Sequence, residues 1–231
     1  METAGQEMLK INTHNKKGES TMNLPHTKYQ VTLTLTEPML GTISKNKEVY
    51  AKYIATKAPK GTDIEEEIET VEEIEEKGWT GFHSDSAGIF IFDYMIRGFL
   101  KAAGTVLRTE LKVSNLKSKI DNYVFVTPRR IRPKRWAPTA DGNVETEPSE
   151  ADGALERPLR AMTALGPRNS LMRSDFVNAG TELSFELLVL RHPEMTEALL
   201  QSLFSYGALV GLGQWRNGSY GRFTFTLEKL G

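Results

Sequence analysis

Glycines and arginines are concentrated around two aromatic residues near the C-terminus, in the run GLGQWRNGSYGRF at residues 211–223. Glycines let a backbone approach a ligand closely and present its N–H groups to an anion. Arginine forks bind phosphate, and aromatic rings stack on unpaired bases. This combination favours single-stranded RNA over a small metabolite. The alternative is a glycine-rich turn whose Trp215 and Tyr220 pack on the core.

The same run does not match the glycine motifs of nucleotide enzymes. A P-loop has lysine after its last glycine, and here Ser219 follows Gly218. In a dinucleotide-binding fingerprint Arg216 would replace the third glycine. Both motifs lead from a strand into a helix, whereas this run is predicted to lead from a helix into a strand. A hydrolase is equally unsupported, because the sequence has no G-x-S-x-G elbow.

The elements that position this run are predicted from hydrophobic periodicity. The first strand alternates, with Val31, Leu33 and Leu35 on one face. Strands are predicted at 28–38, 88–92, 123–127, 157–162, 181–190 and 222–228. Three helices are expected, the first of them an amphipathic helix over the acidic residues 63–76. The predicted buried residues of the other two are Met95, Phe99, Ala102 and Val106 in the helix at 93–107, and Met195, Ala198, Leu199 and Phe204 in the helix at 193–206.

Composition bounds the class of protein. The chain has 231 residues, 39% of them hydrophobic and 26% charged, which is typical of a globular domain. Without an apolar run of about 18 residues or a signal-peptide core, we expect a cytoplasmic protein that does not bind membranes. The absence of cysteine excludes disulfides and thiolate catalysis. We expect a flexible tail at 1–25 and a single domain at 26–231 with a long inserted loop at about 127–156.

Charge is segregated although the net charge is only -1. Residues 63–76 form an acidic run with isoleucines at helical spacing, and residues 127–136 are almost purely basic. The basic run predicts a surface for an anionic partner. The alternative is that the two charged patches only attract each other.

Catalytic residues are difficult to select. His83 with nearby Asp85 is the candidate general acid/base pair, although a lone His–Asp pair in a loop is usually structural. Further metal ligands cannot be assembled around these two residues, so neither a metal nor a cofactor is predicted.

Four stretches, in order along the chain, carry a resemblance to a known family. Residues 211–213 (GLG) and 218–221 (GSYG) resemble two halves of a G-φ-G loop after the last helix, with one residue inserted in the second half. Residues 179–187 (AGTELSFEL), 91–101 (IFDYMIRGFLK) and 36–42 (TEPMLGT) are similar to other motifs of the same family. The helix motif lacks the usual proline and serines. The chain thus resembles the RAMP superfamily of CRISPR proteins, most of all the backbone subunits that coat RNA.

The resemblance implies an α+β fold with a ferredoxin-like (RRM-type) core, an antiparallel sheet, inserted loops and the glycine-rich loop. It implies guide RNA, copies of the chain and other effector subunits as partners, with residues 137–154 as a thumb-like hairpin. The RNA-binding residues that we expect on this basis are Arg97, Lys101, Arg129, Arg130, Arg132, Lys134, Arg135, Arg168, Arg173, Gly211, Gly213, Gln214, Trp215, Arg216, Asn217, Gly218, Tyr220 and Arg222.

Two other functions stay open from the sequence. Some relatives cut RNA, so the chain could be a metal-independent endoribonuclease on the same fold, with Asp63, Asp85 or Asp93 as the cleaving residue. It could also be a phage-type assembly module that needs no nucleic acid, in which the basic run of one copy meets the acidic run of the next.

Overall fold

The chain folds into α+β architecture. The computed structural model describes residues 24–45, 79–139, 142–163 and 166–230. The elements up to the first helix are β1 (His26–Leu35), β2 (Met39–Leu40), β3 (Ile43–Ser44), β4 (Trp79–Gly81), β5 (His83–Asp85), β6 (Gly88–Phe92) and α1 (Asp93–Leu107). The following elements are α2 (Leu116–Tyr123), β7 (Val124–Thr127), β8 (Arg130–Ile131), β9 (Pro133–Thr139), β10 (Gly142–Thr146), β11 (Gly153–Thr163), β12 (Gly166–Val177), β13 (Glu182–Leu190), α3 (Glu197–Val210) and β14 (Phe223–Leu230).

The predicted α+β class with antiparallel pairing is confirmed. Two predictions fall on parts of the chain that the structure does not describe. The acidic helix at 63–76 lies outside the described residues, and so does the predicted tail except for its last two positions, 24 and 25.

The core sheet is built around β1, which has a long partner on each side. β13 pairs with it antiparallel from His26↔Leu190 to Thr34↔Glu182, and β14 from Lys28↔Leu230 to Leu35↔Phe223. The far side of β13 is shared by β7 and β9, giving the order β14-β1-β13-β7 across the middle of the sheet. β10 extends the sheet through β9. The long inserted loop predicted at about 127–156 therefore contains an antiparallel hairpin, β9–β10.

One face of this sheet is covered by α1 and α3. Val31, Leu33 and Leu35 of β1 are buried beneath these helices, as the alternation predicts. Aromatic rings tie the layers together: the centroid of Phe99 on α1 lies 5.5 Å from that of Phe204 on α3 and 5.9 Å from that of Phe223 on β14. These contacts fix α3 on the sheet and with it the start of the glycine-rich loop.

Details of both long helices differ from the sequence prediction. In α1 the buried residues are Ile96, Phe99, Leu100, Ala103 and Gly104, whereas Ala102 and Val106 face solvent. The buried face is rotated from the predicted one: Ile96, Leu100 and Ala103 have the same helical spacing, and they are the residues that pack into the core. The last helix begins at Glu197, and not at Pro193, because the Thr196 side chain caps it by accepting a hydrogen bond from Leu199 N. Ala198 is consequently exposed.

A second sheet joins the exit of β1 to the long β11–β12 ribbon. β12 pairs with β11 along its length, with β2 antiparallel at Val177↔Met39, and with β4 in parallel at Arg173↔Trp79. β3 follows β4 at the edge. β5, β6 and β8 form a third, small sheet. In the part of the chain that is described, no helix combines the length and the apolar character needed to cross a membrane.

Two helical glycines provide a matched test of the core. A Cβ on Gly207 of α3 would lie 2.5 Å from the Phe99 ring, whereas a Cβ on Gly98 of α1 would have no atom within 4 Å. We expect Gly207→Ala to lower the free energy of unfolding by about 1–3 kcal/mol through overpacking. Gly98→Ala should raise it by about 0.5–1 kcal/mol, because alanine has the higher helix propensity. Urea unfolding measures both, and a Gly207→Ala variant as stable as Gly98→Ala would contradict this packing.

Candidate nucleic-acid interface

The glycine-rich loop between α3 and β14 is held by backbone hydrogen bonds. Within the loop, Leu212 N donates to Gly221 O at 2.8 Å. The loop also donates to the chain that leaves β1: Gly221 N to Pro38 O at 2.8 Å and Gln214 N to Leu40 O at 3.2 Å. The loop therefore closes over the exit of β1 and bridges the core sheet and the second sheet.

The loop glycines serve this closure. Gly211, Gly213 and Gly221 have φ values of 86°, 80° and 70°, in the region that side chains disfavour. A Cβ on each would collide with a carbonyl of the chain itself, respectively that of Tyr220, Leu40 and Leu212. The close backbone approaches at these three glycines are thus made to the protein's own backbone. The exposed turn of the loop is Arg216–Gly218, a short 3-10 helix.

Gln214 anchors the loop to the second sheet. Its Oε1 lies 2.9 Å from Thr80 Oγ1 of β4 and 2.8 Å from Ser174 Oγ of β12. Both hydroxyl-bearing residues are buried. The amide oxygen of this predicted RNA contact is therefore occupied by an internal network.

Trp215 is the exposed aromatic residue of the loop. Its side chain keeps 39% of its accessible surface, so it does not fill the core. Its ring stacks on Tyr220, with centroids 5.1 Å apart and an interplanar angle of 18°. The guanidinium of Arg157 on β11 lies over the same indole, with Cζ 4.2 Å from the ring centroid. Burial lowers the pKa of Arg157. The sequence analysis missed Arg157, because it lies in an apolar strand pattern far from the loop.

The two arginines of the loop have no described ion pair. Arg216 and Arg222 are exposed, and neither has a carboxylate partner among the described residues. Asn217 is exposed between Arg216 and Gly218, and Gly218 packs against the Trp215 ring. Arg157 lies over the Trp215 ring, Arg216 follows Trp215 directly in the chain, and Arg222 comes two positions after Tyr220; none of the three has a carboxylate partner in the described ranges. We call Arg157, Trp215, Arg216, Tyr220 and Arg222 the loop cluster.

The basic run, in contrast, is largely paired with acids. Asp85 accepts hydrogen bonds at 2.7 Å from both Arg130 and Arg132. The Arg132 hydrogen bond is the main reason that the pKa of Asp85 lies below its usual value. Among the remaining cations of the run, Lys134 pairs with Glu145 at 2.6 Å, Arg135 pairs with Asp152, and Arg129 lies over the Phe92 ring without a described carboxylate partner.

Three more predicted RNA contacts are also paired. Arg97 and Lys101 on α1 share Asp121 of α2, at 2.8 and 3.0 Å. Hydrogen bonding from Lys101 is the main cause that lowers the pKa of Asp121. Arg173 lies 3.6 Å from Glu156. Arg168 belongs to β12, and its side chain is outside the described part of the chain.

His83 and Asp85 have separate sets of contacts. His83 stacks on Phe90 and meets Phe92 edge-on, and burial lowers its pKa. Asp85 accepts from Ala87 N and from the two arginines. In the described ranges no group of three or more His, Asp or Glu residues is placed to hold a metal ion.

Arg222 of the loop cluster and Arg135 of the basic run lie at the same end of the core sheet. Arg222 O accepts from Thr36 N just beyond β1, and Leu35 N donates to Thr181 O just before β13. Arg135 donates to Thr181 Oγ1. Neighbouring strands are about 4.8 Å apart, so the backbones of Arg135 and Arg222, separated by three strand spacings, lie roughly 14 Å from each other.

The open face of the core sheet has a different chemistry. Its positions on β1 and β13 carry Gln30, Thr32, Ser184, Glu182 and Glu186. These residues offer neither an aromatic ring for stacking nor a net positive charge. The open face is not free of aromatic and cationic groups, however: Trp136 of β9 is 52% exposed and donates to Glu182, Lys134 is the register partner of Glu182, and Lys28 lies 4.0 Å from Glu186.

Comparison with known proteins gives structural matches alone. No family model and no curated protein matches the chain. A subunit of the type III-B Cmr-β complex bound to cognate target RNA aligns with a TM-score of 0.45 and 12% identity, over 89% of this chain; the chain spans 61% of the length of that subunit. A subunit of a type IV-B CRISPR complex aligns with a TM-score of 0.41 and 13% identity, over 87% of this chain and 90% of that one. At these scores we draw no functional conclusion from the two alignments.

The Asp85 carboxylate should give stability a specific pH dependence. Its folded-state pKa is depressed, so its contribution is complete above the unfolded pKa of about 4 and is lost as the pH falls through the folded pKa. We expect Asp85→Asn to lower Tm at pH 7, and this difference from wild type to shrink as the pH is lowered from 5 toward 2. Asp93→Asn is the control, since Asp93 has no described arginine partner. A constant difference across this range would contradict the prediction.

Proposed function

We propose that this chain is an RNA-binding subunit of a CRISPR-type ribonucleoprotein, and that it binds single-stranded RNA through the loop cluster. The observation that carries the proposal is the Trp215–Tyr220 stack with Arg157 over the Trp215 ring and with the exposed Arg216 and Arg222 next to these aromatic residues in the chain. Aromatic faces that accept any base, together with cations that meet the phosphates, are the means by which proteins bind single strands without reading their sequence.

A ferredoxin-like core is part of the proposal. Its support is the order β14-β1-β13-β7 and the sequence β1-α1-β7-β13-α3-β14, which is the β-α-β-β-α-β pattern of that fold. The resemblance of the loop to the RAMP glycine motif adds the expectation that RNA is a guide and that copies of the chain assemble head to tail along it with other effector subunits. The β9–β10 hairpin would then correspond to the thumb.

The charge pairing ranks the candidate RNA contacts. A cation that already pairs with a carboxylate has less attraction left for phosphate, so Arg130, Arg132, Lys134 and Arg135 contribute less than their number suggests. Arg216 and Arg222 are the principal phosphate contacts in this proposal, with Arg129 as the available cation of the basic run. We propose no cleavage by His83, because its hydrogen-bond partner is Tyr94 and its candidate partner Asp85 is occupied by arginines.

Replacing the two exposed loop arginines tests the phosphate contacts. We expect Arg216→Ala/Arg222→Ala to weaken binding to a single-stranded RNA and to reduce the slope of log K against log salt by about 0.7 for each phosphate that the variant no longer neutralises. Fluorescence anisotropy of a labelled oligoribonucleotide at several salt concentrations gives both quantities. Arg191→Ala is the matched control, because Arg191 is exposed at the opposite end of β13. An unchanged slope in the double variant would remove the loop from the interface.

Base stacking by Trp215 has its own test. Trp215→Ala should cost about 1–3 kcal/mol of RNA-binding free energy, while Trp215→Phe, which keeps an aromatic face, should cost much less. In the same titration with an oligoribonucleotide that contains abasic sites, wild type and Trp215→Ala should bind with nearly equal affinity, because there is no base for Trp215 to stack on. If Trp215→Ala weakens the binding of the normal RNA and of the abasic RNA by the same factor, Trp215 does not stack on a base.

A further inference from the structure

Arg157 is a buried cation for which the described residues provide no carboxylate partner. It lies on β11 opposite Met172 of β12 and keeps 6% of its accessible surface. Its Nε and Nη1 are enclosed and have no hydrogen-bond acceptor in the part of the chain that is described. Buried donors are nearly always bonded, and an unpaired one costs its full desolvation free energy. Within the described residues, Nε and Nη1 of Arg157 therefore bear a desolvation cost that no hydrogen bond offsets.

The indole of Trp215 compensates this charge only in part. A cation above an aromatic face is attracted by the ring, but the ring offers the N–H groups no lone pair. The lowered pKa of Arg157, caused by burial, agrees with an incompletely solvated guanidinium. Trp215 directly precedes the exposed Arg216–Gly218 turn in the chain.

Arg173, on the neighbouring strand, provides an internal comparison. It too lies over an indole, with Cζ 4.1 Å from the Trp79 ring centroid. Its side chain is 44% exposed and lies 3.6 Å from the Glu156 carboxylate. Stacking on tryptophan in this ribbon is thus compatible with a carboxylate partner and with contact to water. Arg157, by contrast, is only 6% exposed and has no carboxylate partner among the described residues.

We propose that Arg157 is a receptor for a phosphate oxyanion, and that Trp215 covers its guanidinium until the anion arrives. For the identity of the ligand, a phosphate of the RNA backbone, this rests on the proposed function. A guanidinium forms short, charge-assisted hydrogen bonds with phosphate oxygens. An oxyanion that reaches the enclosed nitrogens displaces the indole, so phosphate binding changes the surroundings of Trp215. Arg157 and Trp215 then act together, one on the phosphate and the other on an adjacent base.

The receptor assignment makes a prediction that a structural role for Arg157 does not. Arg157→Met keeps the stem but removes the unpaired charge, so its Tm should equal or exceed that of wild type. The same variant should bind single-stranded RNA about tenfold more weakly and have a salt slope smaller by about 0.7. Arg157→Lys returns the charge and should return the slope, though not the full affinity, because lysine lacks the planar fork. Arg191→Met, the control, should match wild type.

The experiment is a titration of the full chain and these variants with RNA, in which tryptophan fluorescence and the anisotropy of the labelled RNA are measured. A second titration uses inorganic phosphate in place of RNA, with tryptophan fluorescence as the readout. A Trp215→Phe variant assigns the fluorescence change to Trp215. Wild-type affinity and slope in Arg157→Met would overturn the receptor while leaving the proposed function in place. If Arg157→Met does not fold, the test uses Arg157→Lys: a slope of log K against log salt smaller than that of wild type in folded Arg157→Lys would overturn the receptor assignment.

The phosphate arm separates the two proposals. If wild type does not bind RNA but inorganic phosphate quenches Trp215, and the quenching is abolished in Arg157→Met, the receptor holds for a free phosphate and the proposed function fails. If neither probe binds wild type, both proposals fail.

Discussion

The hydrogen bonds between the glycine-rich loop and the exit of β1 are the constraint on which the rest of this structure depends. Gly221 N reaches Pro38 O and Gln214 N reaches Leu40 O, so the last connection of the chain is bound to its first. Because Met39 and Leu40 also pair with β12, the same few residues join the core sheet to the second sheet. The position of Trp215 over Arg157 is a result of that junction, since the loop leaves the core sheet and Arg157 belongs to the second sheet.

The distribution of charge follows from tertiary pairing more than from composition. The basic run has a strong positive charge in the sequence, yet Asp85, Glu145 and Asp152 neutralise most of it from three separate segments. Two of the arginines without a carboxylate partner among the described residues, Arg129 and Arg157, lie over aromatic rings, and Arg216 follows Trp215 directly in the chain. Such an arrangement concentrates the attraction for an anion where a base could also stack, instead of spreading it over a broad patch.

The outcome of the sequence analysis depended on which interactions were local. Alternation along β1 predicts its buried residues correctly, because strand period and one-sided burial coincide there. The face of α1 was misplaced since two sets of apolar residues share the helical spacing, and only packing against the sheet selects Ile96 and Leu100 over Ala102 and Val106. α2 was missed because it is short and polar outside Leu116 and Ile120. The pairing of Arg157 with Trp215 joins residues far apart in the sequence, and no local pattern encodes it.

The central position of β1 has a consequence for synthesis of the protein. Thr32 hydrogen-bonds Ser184, 152 positions later, and the other partner strand of β1 is β14, which follows every other element described. A ribosome must therefore release nearly all of this sequence before the first strand finds its neighbours. Contacts of such long separation slow folding, because the closure entropy of the loop is lost before they form. During that interval an amphipathic strand with both edges unpaired is available to other chains, and chaperones or prompt assembly would protect it.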